Sequence, residues 1–114
     1  MEQAQIMIVL TNLPDEATAR RLAARLIELR LAACVNLLSP CRSIYRWQGK
    51  VEEAAEVPLL IKTTTDRYQS LEAEIRAGHP YELPEIIAVP VIRGLPGYLS
   101  WVAAESRPDT ETPT

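Results

Sequence analysis

From Ala33 through Thr63 the sequence keeps a period of two, with only local interruptions, and this stretch limits the possible folds more than any other. Ala33, Val35 and Leu37 fall on one side of an extended chain, and Cys34, Asn36 and Leu38 on the other. Ser39-Pro40 must interrupt the ladder, because proline has no N–H to donate. Alternation resumes through Ser43, Tyr45 and Trp47 opposite Ile44 and Arg46, so a bulge is expected and not an end. Gln48-Gly49-Lys50 reads as a hairpin turn, after which Val51, Glu53, Ala55, Val57, Leu59 and Ile61 return antiparallel, with Pro58 a second irregularity. Arms of roughly fifteen residues give a ribbon of about 50 Å, whereas a domain of this size has a radius of gyration near 13 Å. The ribbon must therefore overhang its own core. An overhanging, partly apolar ribbon with an open edge is an aggregation hazard unless another chain covers it, so an obligate homo-oligomer is expected. The alternative is an exposed ribbon shielded by Glu52, Glu53 and Glu56.

The flanking segments supply the rest of one domain. Ile6 to Leu10 is a short apolar run, rich in β-branched residues, that reads as a central strand covered on both faces. Asn12 to Asp15 supplies turn and cap residues, and Ala19, Leu22, Ala23, Leu26 and Leu29 then recur at helical spacing, predicting a helix over about 15–31. Thr64 or Thr65 caps a second helix carrying Tyr68, Leu71 and Ile75, which stops at Gly78 as a C′ residue. Two prolines within His79-Pro80-Tyr81-Glu82-Leu83-Pro84 make that stretch an ordered loop. Ile86 to Val91 is a fourth strand, placed at an edge by Pro90, and Leu95 to Glu105 forms a closing helix. The order is β-α-β-β-α-β plus a helix: an α+β, ferredoxin-like sandwich with both helices on one sheet face. Residues 1–106 form this single domain, and 107–114, with two prolines and no large apolar side chain, read as a disordered tail.

Composition excludes several classes of function. The 47% hydrophobic and 24% charged content is that of a globular chain, and no apolar run approaches the ~20 residues of a membrane-spanning helix. Met1-Glu2-Gln3 lacks a basic start and apolar stretch, so a cytoplasmic location is expected. A net charge of −3 with scattered arginines argues against nucleic acid as a partner. Cys34 and Cys41 lie about 23 Å apart along a straight strand, too far for a disulfide unless the chain folds back at Pro40, and no CxxC or zinc-knuckle spacing occurs. With one histidine, four glycines, and no Ser-His-Asp set or phosphate loop, the chain does not read as an enzyme.

Six stretches then become specific: Thr11 to Ala17, Leu31 to Asn36, Ser43 to Lys50, Leu60 to Thr63, His79 to Glu85 and Tyr98 to Trp101. In this order and spacing they resemble the CutA family of divalent-cation tolerance proteins over residues 6–105. The resemblance implies a ferredoxin-like subunit in a homotrimer, long strands forming inter-subunit sheets, and a cytoplasmic role in tolerance to metals such as copper. The family is similar in assembly to PII-like regulators, which leaves a second reading: a trimeric regulator sensing a small anion or metabolite at clefts near Lys62, Tyr81 and Glu82.

Metal ligation is expected residue by residue. Where metal-associated members carry a thiol after the first strand and a second histidine before the His-Pro-Tyr motif, this chain has Thr11 and Gly78. His79 and Cys34 remain as candidate ligands for copper or another divalent metal, with Glu82 or Glu85 able to complete a set. Structural roles compete with these. Cys34 suits a packed core thiol, His79 a cap on the preceding helix carbonyls, and Trp47 and Trp101 interface or core aromatics. Lys62, on an apolar strand, must snorkel outward or pair with a carboxylate such as Glu85 or a bound anion.

Overall fold

In the computed structural model, which describes residues 5–108, a fifteen-residue strand organises everything else. The elements run β1 (Ile6–Leu13), α1 (Glu16–Glu28), β2 (Cys34–Leu37), β3 (Cys41–Trp47), β4 (Lys50–Thr64), a 3₁₀ turn (Thr65–Arg67), α2 (Tyr68–Gly78), β5 (Ile87–Pro90) and α3 (Pro96–Glu105). All pairings are antiparallel, and the sheet order is β2-β4-β1-β5, with β3 pairing β4 beyond the end of β2. The fold is α+β, with three helices and an antiparallel sheet.

The Ser39-Pro40 interruption behaves as a bulge in its count. Leu37 pairs Leu59 and Cys41 pairs Glu56, so four steps on one arm face three on the other. It is nevertheless a real break, since residues 38–40 leave the ladder and only the Leu38 N–H, bonded to the Pro58 carbonyl at 3.0 Å, bridges the gap. The hairpin turns on Gln48 and Gly49, at φ 52° and 81°, the two positive φ values of a type I′ connection that matches strand twist.

The N-terminal half of β4, Lys50 to Glu56, pairs with β3 alone, because β1 joins only from Val57. The ribbon therefore projects with both outer edges free, and the molecule measures 53 × 30 × 23 Å with a radius of gyration of 15.3 Å. This is the overhang that the alternation requires. Its shielding differs from the expectation, however: Glu52 and Glu53 are exposed, whereas Glu56 is buried at the ribbon's foot.

Alternation directs Val9, Leu13, Val57, Leu59 and Ile61 to one face, where Leu22, Leu26, Leu71 and Ile75 of the helices cover them; all these residues belong to the buried core. Helix α1 opens on Asp15, whose carboxylate accepts the Thr18 N–H at 2.8 Å; this bond holds its pKa below the usual value. It ends earlier than the spacing suggests. The Leu31 N–H bonds to Leu26 and the Arg30 N–H to Ile27, a Schellman closure in which Arg30 at φ 56° takes the place usually given to glycine. The Arg30 guanidinium then donates to the Ala104 and Arg107 carbonyls, fastening the end of α3. Arg107, expected in a loose tail, is thus tied to the body; residues 109–114 of that tail lie outside the described residues.

The other helix boundaries also have local causes. No side chain caps α2, since Thr65 Oγ1 donates instead to the Gln5 carbonyl, and a 3₁₀ turn intervenes. Its end is set by Pro80 and not by a left-handed glycine: Gly78 is the last helical residue, and His79, preceding proline, is extended at φ −97°, ψ 133°. Pro96 opens α3 at its first turn. β5 pairs only with β1, the edge position that Pro90 predicts.

Leu59 has no solvent exposure and sits where β4 meets both neighbours and the helices. Leu59→Ala is expected to cost about 2–5 kcal/mol through lost burial and a residual cavity. Loss of the exposed Glu16–Arg20 pair in Arg20→Ala should cost less than about 1 kcal/mol, as measured by chemical denaturation.

Candidate functional site

The loop after α2 folds back over the foot of the ribbon and is fastened there by side chains. Pro80 forces His79 out of the helix, and its imidazole reaches across to β1, with Nε2 2.7 Å from the Asn12 carbonyl oxygen and Nδ1 accepting the Tyr81 N–H at 3.2 Å. The tautomer follows: Nε2 carries the hydrogen and donates, while the Nδ1 lone pair accepts. The ring does not cap the α2 carbonyls as expected. Further along the loop, Asn12 Nδ2 donates to Glu85 Oε1 at 3.0 Å, so Asn12 holds the loop at both ends, through its backbone and its amide. His79 is 8% exposed; burial holds its pKa below 6.5, partly opposed by the Asn12 bond and the Glu56 charge.

Between the loop and the ribbon lies an open cavity of about 800 Å³. Tyr45, Trp47 and Tyr81 contribute aromatic wall, and Glu56, Glu82 and Glu85 contribute carboxylates. Glu56, also 8% exposed, accepts the Ser43 hydroxyl at 2.5 Å across the ribbon. Tyr81 lies beside it, and burial together with this neighbouring carboxylate pushes the phenol's pKa up to about 12, so Tyr81 stays neutral and able to donate. His79 and Tyr81 rings meet at 4.8 Å with a 52° tilt.

The expected site residues separate into two places. Tyr81 and Glu82 line the cavity and His79 anchors its loop, but Lys62 is elsewhere. Lys62 faces Ile8 and Cys34 in the ladder, six residues or about 20 Å along β4 from Glu56. Its ammonium donates to Asn36 Oδ1 and not to Glu85, whose carboxylate is taken by Asn12. Cys34 lies on the sheet face turned away from the helices, half-buried and not a core thiol; Cys34 and Cys41 are both free. Cys34 and His79 are not brought together: Cys34 pairs at Lys62, whereas the Asn12 that holds His79 pairs at Pro58, about 13 Å along the same strand. Among the described residues no three or more His, Cys, Asp or Glu side chains converge as metal ligands. His79 would first have to release the Tyr81 N–H or the Asn12 carbonyl before a ring nitrogen could ligate.

Asn12, Ser43, Glu56 and the ribbon aromatics were missed as site residues by the sequence reading. Alternation already placed Ser43, Tyr45 and Trp47 on one face of the ribbon. The burial of Glu56 had no local signal, since a loop distant in sequence covers it.

Comparison with known proteins accords with this architecture. The family model for the CutA1 divalent ion tolerance protein matches residues 7–105. The divalent-cation tolerance protein CutA of Pectobacterium atrosepticum is 46% identical over 101 residues, covering 89% of this chain and 92% of its own; that of Thermus thermophilus is 48% identical over 95 residues, covering 83% and 92%. Among solved structures, the divalent cation tolerance protein of Thermus thermophilus superposes with a TM-score of 0.86 at 46% identity over 88% of this chain and 97% of its own. CutA1 from Oryza sativa gives 0.88 at 36% identity over 94% and 97%. The chain is a small α+β protein of the divalent-cation tolerance class. It belongs to the CutA1 family.

Because burial lowers the His79 pKa, the unfolded chain binds more protons than the folded one between the folded value and 6.5. Stability present above pH 6.5 should therefore decline as pH falls through the folded pKa. His79→Gln should remove that component of the pH dependence of urea denaturation. As His79 is the chain's one histidine, its proton NMR titration should give a single midpoint below 6.5.

Proposed function

We propose that the protein acts in divalent-cation tolerance as a cytoplasmic homotrimer of ferredoxin-like subunits, binds copper-like ions weakly, and is not an enzyme. The single observation that carries the reading is the CutA1 family match over residues 7–105. The strand order β2-β4-β1-β5, with α1 and α2 packed on one face, supports the ferredoxin-like description. The free edges of the ribbon, together with exposed Ile44 and Val51 on the ribbon face opposite Tyr45, support burial against sister copies. Trp101, half-exposed and stacked near Tyr98 at 5.6 Å, adds to the apolar surface available for assembly. A cytoplasmic location is the reading from sequence; no described helix is long and apolar enough to cross a membrane, and the Archaeoglobus fulgidus relative is named a periplasmic protein.

The dispersed positions of His79 and Cys34 favour weak ligation, since tight sites use three or four convergent ligands. The regulator reading loses its basis in Lys62, which does not line the cavity.

Calorimetric titration with Cu(I), Cu(II) and Zn(II) should show affinity falling about tenfold or more in His79→Ala, Cys34→Ser or both. Unchanged affinity in both variants would remove these ligands. Light scattering should give about three times the 12.7 kDa of one chain, with melting that depends on concentration. Ala55→Glu, on the ribbon, should shift the mass toward the single chain.

A further inference from the structure

We infer that the cavity at the foot of the ribbon is a binding site for a small organic ammonium ion, held against Tyr45, Trp47 and Tyr81 with the Glu56 carboxylate beneath it. The cavity, about 800 Å³, lies within the range of small-ligand sites, and its walls combine three aromatic side chains with Glu56, Glu82 and Glu85. No Lys or Arg lines it. Four ligand classes can be compared on that lining. An anion would meet carboxylates and no cation. A divalent metal needs convergent hard ligands, and among the described residues none assemble. A neutral apolar molecule would displace water from Glu56 and leave its charge uncompensated. An alkylated ammonium avoids each of these difficulties, because its diffuse charge is attracted to aromatic faces and its alkyl groups tolerate a partly dry wall.

Glu56 is the independent observation behind the choice. It is more than nine-tenths buried and lines the cavity, it accepts hydrogen bonds from two neutral donors, the Ser43 hydroxyl and the Tyr81 phenol, and it enters none of the ion pairs among the described residues. Two neutral hydroxyls solvate this carboxylate but leave its charge without a counter-charge, which an organic cation in the cavity would supply. Tyr81, beside Glu56 and neutral, keeps the floor polar without adding positive charge. The inference goes beyond divalent-cation tolerance and stands or falls independently of metal binding.

The test is titration of the full chain with tetramethylammonium chloride at constant ionic strength, followed by calorimetry and tryptophan fluorescence, with neopentanol as a water-soluble neutral analogue of similar shape. Saturable binding of the cation is expected, with a fluorescence change retained in Trp101→Leu and lost in Trp47→Leu. Glu56→Gln should weaken binding about tenfold or more, and neopentanol should bind at least about tenfold more weakly than the cation. If Glu56→Gln fails to fold, Glu82→Gln and Trp47→Leu carry the test, each expected to weaken the cation in calorimetry. Absence of saturable binding, equal binding of neopentanol, or unchanged affinity in the folded cavity variants would overturn the inference.

Discussion

The ladder of β4 holds the molecule together, because one uninterrupted strand serves three partners along its length. From Val57 to Thr64 it pairs β1, over Leu59 to Lys62 it also pairs β2, and from Lys50 to Glu56 it pairs β3 alone. Only within the C-terminal half, over Leu59 to Lys62, is β4 therefore flanked by strands on both edges, and only in that half do alternate side chains reach the helix layer. Leu59 and Ile61 are fully buried for that reason, while Val51, on the same strand, stands in solvent. A strand more than twice the usual length thus divides one domain into a packed half and a projecting half. The site forms where the two meet.

That division was legible in the sequence because it rests on period and length, which are local. The arms measured from alternation give nearly the observed 53 Å long axis, and Pro40 and Pro90 marked their interruption and edge because a missing N–H acts at its own position. The end of α1 was not legible, since an arginine in a left-handed cap is uncommon; what favours it is the chance to bond the Ala104 and Arg107 carbonyls, more than seventy residues away. The family resemblance rested on motifs in order, and the family match bears it out.

For the candidate site, residue types were easier to read than their placement. Tyr81, Glu82 and His79 lie in one prolyl loop, so contiguity alone kept them together. Lys62 was grouped with them on the argument that a strand lysine needs an anion. The neighbouring Asn36 amide oxygen satisfies the ammonium across the ladder, so no distant carboxylate is required. Glu56 fails in the opposite sense. In sequence it is one of several acids on a ribbon expected to be solvated, and its burial depends on the loop that His79 and Asn12 tie down.

These contacts make the loop, the cavity and the ribbon mechanically continuous. Tyr45 and Trp47 belong to the projecting half, whose edges are free, whereas Tyr81 and Glu85 belong to a loop bonded to the packed half. A ligand seated between them would restrain the ribbon relative to the body. A sister copy pairing along the ribbon edge would impose a restraint on the same strand pair. Two events that order one segment are coupled, and by linkage the coupling is reciprocal: whatever a cavity ligand adds to assembly, assembly adds to the ligand's affinity. The size of that coupling depends on how freely the unpaired ribbon bends about its foot. There, across the break at residues 38–40, the Leu38 N–H bonded to the Pro58 carbonyl is the backbone hydrogen bond to β4 that lies between the β2 and β3 ladders, next to the position where Glu56 and Ser43 meet.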